Sequence, residues 1–313
     1  MSYALPYLRR LYAAEPALTF TGVAMALLLL AALPLLLLDP RVIAGAPAWL
    51  KPVKFLISTS VYGFTLAWLL DHLEVRQWLK RAVGYGVAAI LWLEIGIIVL
   101  QVLRGTTSHF NTATPFDSAL YSTMGIAITL LWLANLGIAV LLLRQRFSDP
   151  AWAWSLRAAV LIGALGMAVG FLMTTPMPGQ ITSAHAPEIV GAHSVGVPDG
   201  GAGLPLTGWS TEGGDLRVGH FVGLHALQVL PLVGAWILRR RSSRQARLGL
   251  VLSVSGSYLA LTLLLTWQAL RAQPLLSPDP LTWTALALWA LASVAAIWWT
   301  SQLRERSALQ QPV

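Results

Sequence analysis

The chain has 313 residues, of which 56% are hydrophobic and 11% are charged, and its net charge is +8. Soluble domains carry about 25% charged residues, so the composition excludes an ordinary soluble domain. The absence of cysteine excludes disulfides and metals or iron–sulfur clusters held by thiolates. The basic residues flank apolar blocks and form no folded basic domain, so we expect no nucleic-acid partner.

The apolar residues fall into eight blocks of about 20 residues, the length of a helix that crosses about 30 Å of hydrocarbon. Strands of a membrane barrel would instead alternate apolar and polar residues, and the sequence lacks that alternation. We therefore predict an all-α, polytopic transmembrane bundle that forms a single integral membrane domain over residues 1–313 in contact with the lipid bilayer. The predicted spans are 18–38, 53–71, 83–103, 119–143, 156–174, 218–238, 248–270 and 281–300.

The positions of Lys and Arg predict the orientation, because loops on the cytoplasmic side are enriched in these residues. With the N-terminus inside, most of the 21 basic residues lie on the cytoplasmic side. An even number of spans then places the C-terminus inside as well. The run Arg239-Arg240-Arg241 is explained as an anchor at the end of the sixth span.

The second span carries a stripe of polar residues from its outer end, predicted to point inward. It comprises Lys51, Lys54, Ser58, Tyr62 and Thr65, spaced to share one side of a helix. Two interpretations of the lysines stay open. They extend toward lipid phosphates, or they provide the counter-charge for Glu94 or for an anionic ligand.

The third span contains Glu94 near its middle, followed by Gln101 and Arg104. An isolated ionised carboxylate at this depth is costly. We therefore expect Glu94 to be protonated, paired with a cation such as Lys54, or in contact with water. Asp117, at the start of the fourth span, is predicted to stabilise a helix N-terminus.

The longest loop, residues 175–217, joins the fifth and sixth spans. It is rich in glycine and proline but also contains apolar residues, unlike a disordered linker. Long ordered loops often act as lids, so we expect an extracytoplasmic loop that folds over the outer mouth of the bundle. It contains His185 and His193.

The sixth span places Arg217, His220, His225 and Gln228 on one arc of about 140°. The opposite arc is apolar and is predicted to be able to face lipid. Polar residues at membrane depth usually serve a site, although bonds between packed helices would also explain them. The spacing of the two histidines matches no metal motif, since two ligands on one helix face are typically four residues apart.

These observations predict one polar, histidine-rich site in the outer half of the membrane. Candidate catalytic residues are Glu94, Lys54, Tyr62 and Arg217. Candidate cofactor-binding residues are His220, His225, His109 and Gln228, and candidate metal ligands are His109, His193, His220 and His225.

Two strings resemble those of an uncharacterised family of bacterial multi-pass membrane proteins. They run from Ser108-His109-Phe110-Asn111 to Asp117 and from Gly214-Asp215-Leu216-Arg217 to Gln228. The resemblance spans most of the chain. It implies a location in the bacterial inner membrane but no activity, and the ligand spacing of histidine-based zinc-dependent membrane hydrolases is missing.

The residues leave four functions open. Histidines could ligate haem b or a divalent metal in a redox protein that acts on a quinone. A histidine could act as general base in a metal-free enzyme that modifies lipids. Glu94 could carry protons in a proton-coupled transporter, although the sequence lacks the inverted repeat that many transporters have. The polar stripes could also pack a structural or assembly subunit of a membrane complex.

Overall fold

A computed structural model describes residues 4–177, 180–181, 187–240 and 243–309. Within these ranges the chain forms nine α-helices and two short antiparallel strand pairs. The helices are α1 (Ala4–Ala14), α2 (Pro16–Leu38), α3 (Leu50–Asp71), α4 (Gln77–Leu103), α5 (Pro115–Arg144), α6 (Pro150–Met173), α7 (Leu216–Arg239), α8 (Arg244–Leu270) and α9 (Pro280–Leu309). The strands are β1 (Val42–Ile43) with β2 (Ala46–Pro47), and β3 (Ser194–Val195) with β4 (Gly214–Asp215).

Helices α2 to α9 confirm the predicted all-α bundle, because each is long and apolar enough to cross a membrane. Several begin before the predicted span: α4 starts at Gln77 rather than at 83, and α6 at Pro150 rather than at 156. Hydropathy detects only the apolar part of a helix, whereas its backbone hydrogen bonds continue into the polar interface. The predicted orientation, with both termini inside, stays a prediction.

Prolines at the first helical position define several of these starts. Asp149 caps α6 by accepting from the N–H groups of Ala151 and Trp152, and Pro150 follows it. Asp279 accepts from Thr282 N–H at the start of α9. Proline is favoured at this position because its missing N–H would have no partner inside the helix.

The chain divides into two compact units. One boundary between them falls within α5, and two fall in the long loop. Unit 1 comprises Met1–Ala134 and Pro176–Gly191, and unit 2 comprises Asn135–Thr175 and Ala192–Val313. The prediction of a single integral domain over residues 1–313 stays a prediction.

In unit 1, α2 packs against both α3 and α4. Close approach of α2 and α3 requires glycine, since a Cβ at Gly63 would lie 3.1 Å from the carbonyl oxygen of Leu18. Their apolar contact, which also includes Ile95 of α4, forms a core of Met25, Ala32, Val53, Leu56 and Ile95. This packing buries one face of α4.

In unit 2, α6 and α7 form the most extensive helix contact. A Cβ at Gly166 would lie 2.5 Å from the carbonyl carbon of Gly223, so the two backbones touch. The apolar arc of α7 is therefore a packing face, and its predicted exposure to lipid is wrong for these residues. Helices in lipid associate through small residues that permit such approach, and that arc contains Gly219, Gly223, Ala226 and Gly234.

The described parts of the long loop make backbone hydrogen bonds in both units. In unit 1, Thr112 N–H donates to Glu188 O and Val190 N–H donates to Phe110 O, both at 2.8 Å. In unit 2, β3 and β4 pair directly before α7. His185 lies outside the described residues, and the lid function of the loop stays a prediction.

Candidate functional site

Glu94 is a buried carboxyl group near the middle of α4, with 4% of its surface exposed. Among the residues that the structure describes, neither of its carboxyl oxygens has a hydrogen-bond partner. Buried polar groups in proteins are almost always hydrogen-bonded. Glu94 is therefore an exception that demands a functional or chemical explanation.

The cation that interacts electrostatically with Glu94 is Lys51, at the first turn of α3. A pairing of Glu94 with Lys54 stays a prediction, and both interpretations of the two lysines stay open. The polar stripe on α3 is not the buried face of this helix, because Ser58 is exposed and Lys54 and Tyr62 are only half-buried. The predicted inward orientation of the stripe stays a prediction. The buried face of α3 instead carries Leu56, Thr59, Ser60, Gly63 and Ala67.

The polar residues that follow Glu94 form a hydrogen-bond network at the C-terminal end of α4. Asp117 Oδ1 accepts from Arg104 and from Gln101 Nε2 (2.8 Å), and Thr114 Oγ1 donates to Asp117 Oδ2 (2.6 Å). Gln101 and Asp117 are both buried. Thr114 Oγ1 in turn accepts from Asp117 N–H (3.1 Å) and caps α5. The predicted structural role of Asp117 is confirmed.

His109 lies in the linker between α4 and α5. Its Nδ1 is 3.0 Å from Ser108 Oγ, and its ring lies 5.7 Å from that of Phe55 in α3. Its neighbour Phe110 has a φ of +63°, a conformation that non-glycine residues rarely adopt. This conformation is held by the bond from Val190 N–H to Phe110 O.

The two histidines of α7 have separate partners. His220 Nδ1 lies 2.7 Å from the carbonyl oxygen of Gly166 in α6. His225 Nδ1 lies 3.1 Å from Gln228 Oε1, and its ring packs edge-on against Phe221 at 4.2 Å. Because the two histidines are five positions apart in the helix, their side chains leave α7 about 140° apart. They do not converge on one point.

Arg217 is held by the residue that caps its own helix. Its Nε and Nη2 donate to the buried Asp215 carboxylate at 2.9 and 2.6 Å, and Nη2 also donates to Gly208 O. Asp215 further accepts from the N–H groups of Ser210 and Arg217. These hydrogen bonds hold the end of the loop against the start of α7. The predicted catalytic role of Arg217 stays a prediction.

His193 forms an ion-pair contact with Asp199, with Nδ1 and Oδ2 2.7 Å apart. Asp199 also accepts from the N–H groups of His193 and Ser194. Burial raises the pKa of Asp199, but these hydrogen bonds outweigh it and hold that pKa well below the usual value. Leu216 N–H donates to His193 O, and His193 interacts electrostatically with His220. The loop thus places His193 at the start of α7.

The predicted site residues fall into both units. Lys54, Tyr62, Glu94 and His109 belong to unit 1, whereas His193, Arg217, His220, His225 and Gln228 belong to unit 2. Their union in one site stays a prediction. Within the described ranges, no three His, Asp or Glu side chains come together as metal ligands would. Haem or metal binding, with its proposed ligands, also stays a prediction.

Sequence reasoning missed two carboxylates, Glu15 and Asp215. Each precedes a helix, and the pair Glu15-Pro16 has the proline that often follows a cap. A search for apolar spans passes over such residues because they lie just outside them. Asp199 lies in the string Pro198-Asp199-Gly200, a turn signal whose aspartate also accepts hydrogen bonds from the backbone.

The chain matches no protein-family model, no curated protein and no solved structure. The resemblance to a family of bacterial membrane proteins and the predicted inner-membrane location therefore stay predictions. The proposed function therefore rests on the geometry of the side chains.

Proposed function

We propose that this polytopic membrane protein is a proton-coupled transporter in which Glu94 binds the transported proton. The observation that carries the proposal is the burial of both Glu94 carboxyl oxygens without a hydrogen-bond partner among the described residues. Ionisable residues inside membrane spans typically mark ion or proton pathways.

The local chemistry supports a proton rather than a permanent charge at Glu94. An ionised carboxylate without hydrogen bonds is strongly disfavoured in an apolar interior, so the occluded state holds the neutral acid. Water that reaches the site solvates the carboxylate and allows the proton to leave. Lys51 then stabilises the negative charge through the electrostatic interaction described above. One carboxyl group thereby alternates between loaded and unloaded states.

Proton binding at Glu94 can be measured without knowing the transported solute. Infrared spectra of the purified protein in liposomes, recorded across a pH titration, should contain the C=O band of a protonated carboxyl near neutral pH. Glu94→Gln should remove this band, because glutamine cannot be protonated. Glu74→Gln is the matched control, since Glu74 is an exposed carboxylate of unit 1. A band of undiminished amplitude in Glu94→Gln would refute the proposal.

Charge movement provides the second measurement. A pH jump across protein-containing membranes adsorbed on an electrode should produce a transient current as protons reach the buried site. We expect Glu94→Gln to remove most of this charge, because glutamine cannot bind the proton, and Glu74→Gln to leave it unchanged. An undiminished current in Glu94→Gln would show that protons bind elsewhere.

A second candidate function is redox chemistry at haem b or a divalent metal, linked to a quinone. It is favoured by the contact of His220 Nδ1 with the Gly166 carbonyl. A carbonyl accepts a hydrogen bond, so Nδ1 carries the proton and Nε2 holds the lone pair that binds metals. The predicted ligand roles of His109 and His225 stay predictions.

An absorption spectrum and metal analysis of the purified protein separate this candidate from the first. A Soret band or a stoichiometric metal that is lost in His220→Ala would favour it. His72→Ala serves as control, because His72 also directs Nδ1 to a carbonyl, that of Trp68, at the opposite predicted side of the membrane. A metal- and haem-free protein that retains the pH-jump current would exclude it.

A further inference from the structure

A second carboxyl group in unit 1 shares the unusual properties of Glu94. Glu15 lies between α1 and α2 and is fully buried, with 0% of its surface exposed. Its Oε1 accepts from Ala17 N–H at 3.3 Å, whereas Oε2 has no hydrogen-bond partner among the described residues. Capping α2 therefore uses only one of its oxygens.

Glu15 packs directly against α4, the helix that carries Glu94. A Cβ at Gly84 would lie 2.2 Å from both Cδ and Oε1 of Glu15. Glycine at this position makes room for the carboxyl group beside the helix. An aspartate or serine cap would stop short of α4, and these are the residues that helix N-termini prefer. The longer side chain and the glycine together place a carboxyl group on α4.

Gly84 and Glu94 are ten residues apart, which is about 15 Å along α4, and both are buried. Three hydroxyl groups of α2 and α3 make hydrogen bonds in this part of unit 1. Thr19 Oγ1 donates to Glu15 O (2.8 Å), and Trp92 Nε1, two residues before Glu94, donates to Thr21 Oγ1 (3.2 Å). Ser60 Oγ donates to Gly22 O (2.8 Å). These bonds add polar groups to the otherwise apolar contact of α2, α3 and α4.

We propose that Glu15 is the proton-exchange residue at the Gln77 end of α4, which passes protons between water on that side and Glu94. This inference rests on the proposed function of Glu94. The Glu15 carboxylate takes one proton from water on that side, passes it to the Glu94 carboxylate through water that enters the helix contact, and returns to its ionised form. Each cycle moves one proton and no electron.

Charged groups of α1, α3 and α4 lie in this part of unit 1. Arg81 of α4 interacts with it electrostatically, and the Arg10–Asp71 ion pair joins α1 to α3 at the surface. Burial raises the pKa of Glu15, and its backbone hydrogen bonds and Arg81 oppose that rise. A carboxyl group with a raised pKa can both accept and release protons closer to neutral pH.

The test follows the Glu94 carboxyl band after a pH jump applied on the side of Gln77, with the full chain in oriented liposomes. Glutamine retains an oxygen for the bond from Ala17 N–H, so Glu15→Gln should fold. We expect Glu15→Gln to preserve the amplitude of the band and to slow its appearance by at least about tenfold. Glu74→Gln should keep the wild-type rate. A wild-type rate in Glu15→Gln would overturn the inference.

A second variant keeps the inference testable if Glu15→Gln does not fold. Arg81 is exposed, and Arg81→Gln removes a positive charge that lowers the pKa of Glu15. The pH dependence of the exchange rate should shift to higher pH, whereas Arg76→Gln, an equal loss of charge at the start of α4, should not shift it. An unshifted profile in Arg81→Gln would contradict the role of Glu15.

The two proposals fail in different ways. If Glu94→Gln leaves the infrared band and the current intact, the proposed function is wrong. If Glu94→Gln removes both while Glu15→Gln exchanges protons at the wild-type rate, only the inference about Glu15 is wrong.

Discussion

Gly166 and Gly223 bring the backbones of α6 and α7 into contact, and a Cβ on Gly223 would lie 2.5 Å from Gly166 Cα. We expect Gly223→Ala to push the helices apart and to destabilise the protein by about 1–3 kcal/mol, the usual range for overpacking. Thermal unfolding in detergent measures the effect. Gly137→Ala is the matched control, because a Cβ there meets nothing within 4 Å, and helix propensity favours alanine. Equal stability of the two variants would contradict the packing argument.

The hydrogen bonds to Asp199 make the loop before α7 sensitive to acid. The pKa of Asp199 is lowered in the folded protein, so its contribution is present above the unfolded value of about 3.9 and is lost as the pH falls through the folded value. Hydrogen exchange at residues 192–200, corrected for intrinsic rates, should therefore increase below about pH 4. Asp199→Asn should show faster exchange already at neutral pH. Glu212→Gln, an exposed carboxylate of the same loop, should not.

Asp117 stabilises the junction of α4 and α5 through Arg104, Gln101 and Thr114. Asp117→Asn removes the charge from a buried network, and we expect a loss of about 1–2 kcal/mol. Asp71→Asn changes the exposed ion pair with Arg10, where a loss of at most about 0.5 kcal/mol is expected. Denaturation in detergent compares the two variants, and a larger effect at Asp71 would be contrary to this ranking.

Two substitutions at Glu94 separate a functional carboxyl from a packing residue. Leucine fills the same apolar surroundings without a polar group, so Glu94→Leu should raise the melting temperature or leave it unchanged. It should abolish the pH-jump current, as Glu94→Gln does. A Glu94→Leu protein with a normal current would reduce Glu94 to a packing role.

The orientation can be tested with reporter fusions. Fusions at Gln245, in the first turn of α8 at its predicted cytoplasmic end, and at Ser194, in the predicted outer loop, should give opposite signals because basic residues are retained inside. The same signal at both positions would overturn the predicted orientation. The Gln77 end of α4, where Glu15 packs, would then not face the cytoplasm.

Much of the fold was predictable because the membrane requires apolar helices of a defined length. Helix α1 was missed, since its 11 residues include Arg9 and Arg10 and are too few to cross a bilayer. The polar arc of α7 was identified, but the opposite arc was assigned to lipid. The spacing of Gly219 and Gly223 was the available signal, because small residues four apart indicate helix packing.

The candidate site was less predictable than the spans. The depth of Glu94 followed from its position in an apolar run, but its missing hydrogen bonds depend on which neighbours surround it. The partners of Arg217 and His193 are Asp215 and Asp199, and both pairs form through the fold of the loop. Helical angles alone cannot reveal that fold, because they describe only one helix at a time.

The contact between Glu15 and Gly84 links two positions that are 69 residues apart in the sequence. Any side chain at position 84 would occupy the volume of the Glu15 carboxyl group, so the two positions cannot change independently. In chains that share this fold, we expect glutamate at the first position to occur together with glycine at the second, and alanine or serine at the second to occur with a shorter residue at the first. Covariation of positions 15 and 84 among such chains would then identify the proton-exchange residue from sequence alone.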